Sequence, residues 1–221
     1  MAKVLPFSDC PSQEIITQAT DCIRQAGVIS VGTESFYALA AGVDHVAAIQ
    51  RVVAMKGDRQ TKPILLLIGE KAQLIPLLSR LPPGADALMD RFWPGPLTLV
   101  LPAAVHLSDS LTCQTGTIGV RQPRATGLLT LLRSTGPLTG TSANRSGATP
   151  LQNSAEVEAV FGEELDVILD GGSSPGGNPS TVLNLVGDIR LLREGPVSSR
   201  AIQEVLSTVG LPLVESVKER R

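Results

Sequence analysis

The 221-residue chain has few of the side chains on which metal, disulfide and hydrolase sites depend. Its three cysteines include no CxxC pair, which excludes a cysteine zinc site and a disulfide framework and fits a reducing compartment. Neither His45 nor His106 has a nucleophile near it in sequence, so both are interpreted as ordinary surface or core residues, and a Ser-His-Asp hydrolase is not supported. Because metal ligands are equally scarce, no protein-held metal is predicted, and any Mg²⁺ would arrive carried by phosphates.

Phosphate-binding glycine motifs, long hydrophobic runs and a strong charge bias are also missing. The sequence has no GxxxxGK[ST] and no GxGxxG, which excludes a Walker-type loop and the simplest dinucleotide-binding fold. Uninterrupted apolar runs such as 64–68 are too short to span a bilayer, and the N-terminal stretch lacks the apolar centre of a secretory signal. The net charge of −2 disfavours a globally basic nucleic-acid binder but permits a local basic patch. We therefore expect a cytoplasmic protein without a membrane segment.

The composition is that of a globular protein with an aliphatic core. Hydrophobic residues make up 43% of the chain and charged residues 18%, which excludes the disordered class. Aromatic residues are only 3%, so Leu, Val, Ile and Ala must build the core.

Helical and strand-like patterns alternate along the whole chain. Apolar residues at helical spacing predict helices at 15–26 with Gly27 as C-cap, at 44–57 with Asp44 as N-cap and Gly57 as the end, and at 70–80, 84–92, 125–135, 154–161 and 198–208. Aliphatic runs predict strands at 28–31, 64–68, 97–101, 117–121, 166–169, 181–186 and 189–192, the last two forming an antiparallel hairpin. This layout predicts a single α/β domain with a mixed sheet over residues 1–210, followed by a C-terminal tail at 211–221.

Polar and glycine-rich segments lie at the edges of these apolar runs. They are residues 33–37, 56–62, 140–147 and 170–181. Each has a structural interpretation (a strand-to-helix turn, cations that favour a helix C-terminus, a Ser/Gly loop, a flexible connection) beside an anion-binding one. Arg121 and Arg193 end predicted strands, where a solvated surface cation is the commoner outcome. Pattern alone leaves both interpretations open for every segment.

Taken in order, these segments resemble the YrdC-like family of threonylcarbamoyl-AMP synthases. The motifs are TESFY (33–37), KGDR (56–59), WPGPLT (93–98), TIGVRQP (117–123), SANRSG (142–147), DGG with STV (170–182) and LREG (192–195). The resemblance covers about residues 12–208, and WPGPLT followed by SANRSG is its most specific part.

The resemblance implies a fold, a reaction and a set of site residues. The fold would be a single-domain twisted mixed sheet with flanking helices and a concave basic cavity. The reaction would join L-threonine, bicarbonate or CO₂, and ATP into threonylcarbamoyl-AMP and pyrophosphate, for threonylcarbamoyladenosine modification of tRNA. By family position, ATP would be held by Lys56, Arg59, Thr117, Ser142, Asn144 and Arg193, with Lys56 and Arg59 as the catalytic pair. Threonine would be held by Thr33, Arg121, Thr141 and Ser180.

The same residue types suit the reaction on chemical grounds. A carbamate is already an anion, so its adenylation requires positioning and charge stabilisation more than a strong general base. Cations and hydroxyl or amide loops without a usable histidine provide that chemistry. Arg121 offers a planar fork that matches a carboxylate.

Departures from the family pattern keep a second hypothesis open. Gly32 stands where the family has a proline, Ala38 where it has a glycine, and Ala125-Thr126 where it has His-Pro. In the basic loop Asp58 occupies the usual position of the arginine, which follows one residue later as Arg59. No histidine occurs near Leu67. The missing histidine predicts weaker threonine binding or reduced selectivity over serine. The alternative is a YrdC-like paralogue that binds nucleotide, tRNA or double-stranded RNA without making the adenylate. Either form could act with tRNA-modification proteins.

Overall fold

The structure is a computed structural model, and it describes residues 1–57 and 63–214. Its strands are β1 (Lys3–Pro6), β2 (Ile29–Gly32), β3 (Tyr37–Ala40), β4 (Leu65–Leu67), β5 (Leu97–Pro102), β6 (Thr117–Arg121), β7 (Leu138–Thr139), β8 (Thr141–Ser142), β9 (Val167–Asp170), β10 (Thr181–Asn184) and β11 (Arg190–Arg193). Its helices are α1 (Gln13–Arg24), α2 (Val46–Lys56), α3 (Ala85–Phe92), α4 (Asp109–Thr112), α5 (Thr126–Thr135), α6 (Ser154–Phe161) and α7 (Ser199–Thr208), with a 3₁₀ helix at Lys71–Leu77.

The strands form two mixed sheets, whereas the sequence predicted one. One sheet has the order β1-β9-β2-β3-β8, and the other has the order β11-β10-β5-β6-β4-β7. The mixed α/β class is confirmed, and so is the antiparallel β10–β11 hairpin. The single sheet was wrong because strand patterns do not show which strands pair. The sequence also missed β1, β3, β7 and β8, and the two-residue strands β7 and β8 are too short to show a period of two.

The chain passes from one sheet to the other at Gly140. β7 pairs with β4 in the six-stranded sheet, and β8 pairs with β3 in the five-stranded sheet. A Cβ atom on Gly140 would lie 2.4 Å from Cγ of Leu67, so only glycine fits this crossing. The crossing brings the edges of both sheets to one place, and this is where the cavity described below opens.

The helix ends agree with the sequence in part. Gly57 ends α2 with φ +80°, as predicted, which places Lys56 in the last turn. Asp44 does not cap that helix, because His45 occupies the N-cap position without a side-chain hydrogen bond. After α1 the left-handed residue is Ala26 (φ +59°) and not the predicted Gly27, whose added Cβ would lie 2.4 Å from Sγ of Cys22.

Three aliphatic clusters build the interior, as the composition predicted. The largest joins the six-stranded sheet to α3 and α7, through residues such as Leu88, Leu99, Val120 and Ile202. The others pack α1 with α5, and α2 with α6, against the five-stranded sheet. None of the described helices is long and apolar enough to cross a membrane.

The chain continues from α7 along the six-stranded sheet. Leu211 and Leu213 pack against its core, and the amide of Val214 donates to the carbonyl of Ile189 at 2.9 Å. The proposed division into a domain at 1–210 and a tail at 211–221 stays a prediction.

Candidate active site

A cavity of about 490 Å³ opens where the two sheets meet, and most of the predicted site residues line it. The lining includes Thr33, Tyr37, Lys56, Leu65, Arg121, Thr141, Ser142, Ser180 and Arg193. Six separate segments, at 33–37, 56, 121, 141–146, 180 and 193, thus contribute polar side chains to one concave space.

Three predicted residues differ in their position. Asn144 lies behind the lining and reaches the cavity through its contacts with Lys56 and Ser142. Thr117 lies outside the lining, at the opposite end of β6 from Arg121, where its amide and hydroxyl bond Oγ1 of Thr115. The expectation that Thr117 lines the cavity is therefore wrong, because strand geometry separates it from Arg121. Arg59 lies outside the described residues, so its role stays a prediction.

Lys56 is held by the loop that follows β8. Its Nζ donates to the carbonyl of Ser142 at 2.7 Å and to Oδ1 of Asn144 at 2.9 Å. The hydroxyl of Ser142 donates to the same Oδ1 at 2.6 Å. No acidic side chain in the described part of the chain forms an ion pair with Lys56, and burial lowers its pKa to about 8. The result is a half-buried amine whose charge is not neutralised by a carboxylate, which favours an anionic ligand.

Arg145 fastens this loop to the end of α2. Its Nη1 donates to the carbonyl of Met55 at 2.7 Å, and its guanidinium carbon lies 4.7 Å from the ring centroid of Phe161. It also forms an ion pair with Glu164. Arg145 was not among the predicted site residues, although a cation that can satisfy the carbonyls at a helix C-terminus is a sequence signal for such a contact.

Arg121 is almost completely buried, with 4% of its surface exposed. Its Nη1 lies 3.2 Å from Oε1 of Glu34, a residue that the sequence analysis left without a role. Burial lowers the pKa of Arg121, and the neighbouring Glu34 carboxylate opposes that shift. The guanidinium therefore reaches the cavity with one carboxylate beside it.

Arg193 approaches the cavity from the edge of the six-stranded sheet. Its Nε and Nη2 donate to the carbonyl of Ser180 at 3.0 and 2.8 Å. The hydroxyl of Ser180 lies 2.8 Å from that of Thr98, the last residue of WPGPLT. Burial and the repulsion by Arg121 both lower the pKa of Arg193. Two guanidiniums thus share this part of the cavity.

The turn after β2 uses its hydroxyl groups internally. Oγ1 of Thr33 donates to the carbonyl of Phe36 at 2.8 Å and accepts from the amide of Ser35 at 3.2 Å. The hydroxyl of Ser174 donates to the carbonyl of Thr33 at 3.1 Å. This hydrogen bond connects the glycine-rich segment at 170–181 to the turn. Thr33 lines the cavity, but its hydroxyl is already committed to local structure.

Tyr37 fixes the start of the same glycine-rich segment. Its hydroxyl donates to the carbonyl of Gly172 at 2.8 Å and accepts from the amide of Gly171 at 3.1 Å. The segment is therefore anchored at its start and not a free connection.

Comparison with known proteins decides which family these motifs represent. Residues 21–195 match the Sua5/YciO/YrdC family, which carries the description "Telomere recombination". The chain belongs to this family. One relative of this Sua5/YciO/YrdC protein is the threonylcarbamoyl-AMP synthase of Thiobacillus denitrificans, which is 37% identical over 164 residues, or 74% of this chain and 87% of the relative.

Solved structures share the fold of this Sua5/YciO/YrdC protein. P. abyssi Sua5 complexed with L-threonine has a TM-score of 0.86 and 30% identity, over 95% of this chain and 62% of that chain. E. coli YciO has a TM-score of 0.82 and 26% identity, over 91% of this chain and 100% of that chain. The chain therefore spans less than two thirds of the P. abyssi protein and all of the E. coli one. The resemblance stated from the motifs is confirmed.

Leu67, near which the family histidine is missing, lies in the core and not in the cavity lining. Leu67 is 1% exposed and packs in the core beside Gly140, whereas Ile64 and Leu65 line the cavity. A histidine at Leu67 would face the aliphatic interior and not a ligand in the cavity. Restoring it there is therefore not a route to tighter threonine binding.

The cavity of this Sua5/YciO/YrdC protein suits charge stabilisation. Among the residues that the structure describes, the lining combines one lysine, two arginines, hydroxyl groups and a backbone crossing. Within residues 1–57 and 63–214, no three His, Cys, Asp or Glu side chains come together as a metal site. Such a lining can bind phosphates and a carboxylate and stabilise charge between them.

Proposed function

We propose that this protein is a threonylcarbamoyl-AMP synthase. It would join L-threonine, bicarbonate or CO₂, and ATP into threonylcarbamoyl-AMP and pyrophosphate, and the product would serve tRNA modification in the cytoplasm. The family match, the name of the T. denitrificans relative and the threonine complex of P. abyssi Sua5 support this proposal. The observation that carries it is that Lys56 and Arg121 line one cavity while being held by separate polar clusters.

In this proposal the two clusters bind different parts of the reacting pair. The carbamate oxygen attacks the α-phosphorus of ATP, and pyrophosphate leaves with the electron pair of the broken P–O bond. Lys56, with Ser142 and Asn144, would bind phosphate oxygens and stabilise the charge on the leaving group. Arg121 would hold the threonine carboxylate, with Ser180 and Thr141 beside it. Mg²⁺ enters as the ion that ATP carries on its phosphates.

A second candidate is a paralogue that binds nucleotide or RNA without catalysis. It is favoured by the Thr33 hydroxyl, which is already bonded to Phe36 and Ser35 within its own turn. If this hydroxyl is unavailable to an amino acid, the threonine side of the cavity is weakened while the Lys56 side is retained.

One assay separates the two candidates. The purified protein is incubated with ATP, Mg²⁺, L-threonine and bicarbonate, and both pyrophosphate and the adenylate are measured. Pyrophosphate release that requires threonine and bicarbonate together supports the synthase, and omission of each in turn is the control. ATP binding without pyrophosphate release contradicts the synthase and favours the binding paralogue.

A further inference from the structure

The contact between Glu34 and Arg121 places an acidic side chain beside one of the two arginines that line the cavity. Oε1 of Glu34 lies 3.2 Å from Nη1 of Arg121, and Arg193 lines the same cavity as Arg121. Among the residues that the structure describes, no other ion pair involves either arginine. The net charge of this group is therefore one positive charge, where the arginines alone would have two.

Glu34 acts on Arg121 through charge more than through a directed hydrogen bond. Both of its carboxylate oxygens are buried, and neither accepts a hydrogen bond from any residue in the described ranges. Glu34 is also absent from the cavity lining, whereas Arg121 and Arg193 are both part of it. A buried charge behind the lining changes the potential inside a low-dielectric cavity without occupying the space of a ligand.

We infer that Glu34 is a specificity-determining residue, which sets the charge of the Arg121–Arg193 group so that it accepts an amino acid in preference to ligands with a larger net negative charge. The inference rests on the proposed function, since it concerns the threonine side of that cavity. Two guanidiniums that line one cavity without an acidic neighbour would form a strong site for phosphate. With Glu34 present, the group matches the single carboxylate of a zwitterion, and the ammonium of that ligand is not repelled by a second uncompensated cation.

The inference predicts an effect that grows with the net charge of the ligand. Three probes form the series at neutral pH: L-threonine is neutral overall, 3-hydroxybutyrate has the same carboxylate and hydroxyl without the amine, and inorganic phosphate carries more negative charge. In Glu34→Gln, 3-hydroxybutyrate should bind about tenfold more tightly than in the wild type. The gain in affinity for phosphate should be larger than this, because phosphate carries more negative charge. Threonine should bind no more tightly than before. Structural damage alone would weaken all ligands together.

The measurement is calorimetric titration of the full chain with each probe. The ratio of the 3-hydroxybutyrate Kd to the threonine Kd should be at least about tenfold larger in the wild type than in Glu34→Gln, by the same Coulomb argument. Threonine should displace phosphate from Glu34→Gln, which locates the new binding in this cavity. Glu204→Gln is the matched control, because it removes the same charge from an exposed ion pair with Arg200 outside the lining. It should leave all three affinities unchanged.

The outcomes separate this inference from the proposed function. If Glu34→Gln changes the Kd of all three probes by the same factor, or changes none of them, the proposed role of Glu34 is wrong. If Glu34→Gln fails to fold, Glu34→Asp keeps the charge and should retain the wild-type order of ligands; loss of that order also overturns it. A wild type that binds threonine and releases pyrophosphate while failing these tests refutes only the inference. A wild type that binds no threonine refutes both.

Discussion

The amine of Lys56 lies 2.7 Å from the backbone carbonyl of Ser142, and this contact joins the end of α2 to the loop after β8. The amide of Ser146 completes the connection by donating to the carbonyl of Lys56 at 2.8 Å. Lys56 is thus bonded through both its side chain and its backbone to the loop that carries SANRSG. Its position depends on this loop as much as on the helix.

Removal of the Lys56 amine should weaken ATP binding. Charge-assisted hydrogen bonds contribute about 1.5–3 kcal/mol each, so Lys56→Ala should raise the Kd for ATP about tenfold or more in calorimetric titration. Arg51→Ala is the control on the same helix, because Arg51 pairs with Asp166 and is not part of the lining. An unchanged Kd for Lys56→Ala would remove this residue from the ATP site.

ATP affinity should also depend on pH through Lys56. Burial lowers the pKa of this amine to about 8, so it is charged below that pH and loses its proton above it. Since the charged form binds phosphate, the affinity of the wild type should fall as the pH rises through about 8. Lys56→Met should remove this component of the pH profile. A profile with the same slope in both proteins would show that another group is responsible.

The empty protein should gain stability when Lys56 is replaced by methionine. A lowered pKa means that folding disfavours the charged amine, a cost that is present below pH about 8 and declines as the pH approaches the ordinary value of 10.5. Lys56→Met should therefore have the larger free energy of unfolding at pH 7, and the difference should narrow above pH 8. Urea denaturation without ligands measures both points, and a less stable Lys56→Met contradicts them.

Arg121 should be required for threonine and not for ATP. Truncation of one partner of a buried charge pair costs about 2–5 kcal/mol or more, so Arg121→Gln should reduce threonine-dependent pyrophosphate release at least about thirtyfold. ATP binding should persist. Arg124→Gln, at an exposed position three residues on, is the control.

Because Arg121→Gln leaves Glu34 buried without a partner, the double variant Glu34→Gln/Arg121→Gln tests the same point with both charges removed. It should keep ATP binding and lack threonine-dependent turnover. Full turnover in either variant would exclude Arg121 from substrate binding.

Introduction of a histidine at Leu67 should destabilise the protein without a gain in threonine affinity. The site is 1% exposed and aliphatic, so an imidazole there loses packing and lacks a hydrogen-bond partner, at a cost of about 2–4 kcal/mol. Leu65→His, where the side chain lines the cavity, should cost less. Chemical denaturation and threonine titration check both variants, and tighter threonine binding by Leu67→His would show that this side chain reaches the ligand.

The sequence predicted the parts of the fold that have a local signal. The strand at 117–121 and the end of α2 at Gly57 agree with the structure because a buried aliphatic run and a left-handed glycine are both local features. The two-sheet arrangement could not be predicted, since it depends on which strands pair. β9 pairs with β1 and β2 in one sheet and β10 pairs with β5 in the other, and these are contacts between remote segments.

For the candidate site too, residues that belong to a motif were predicted, whereas contacts between remote segments were not. Motif positions correctly brought Lys56 and Arg121 to one cavity, although no local pattern shows that Glu34 would stand beside Arg121. Thr117 was misplaced because it belongs to the same motif as Arg121, and a motif does not indicate which end of a strand faces a ligand. Spatial neighbours that come from different motifs require the tertiary structure.

The crossing at Gly140 places the cavity at the junction of the two sheets. At this crossing the chain leaves one sheet at Thr139 and enters the other at Thr141, so a single residue without a side chain separates the two strands. Leu67 fills the space that a side chain at position 140 would take, so packing in the core sets how closely the two sheets approach each other. The spacing between the Lys56 side and the Arg121 side of the cavity is therefore set by hydrophobic packing, and a methyl group added at Gly140 would alter it through its clash with Leu67.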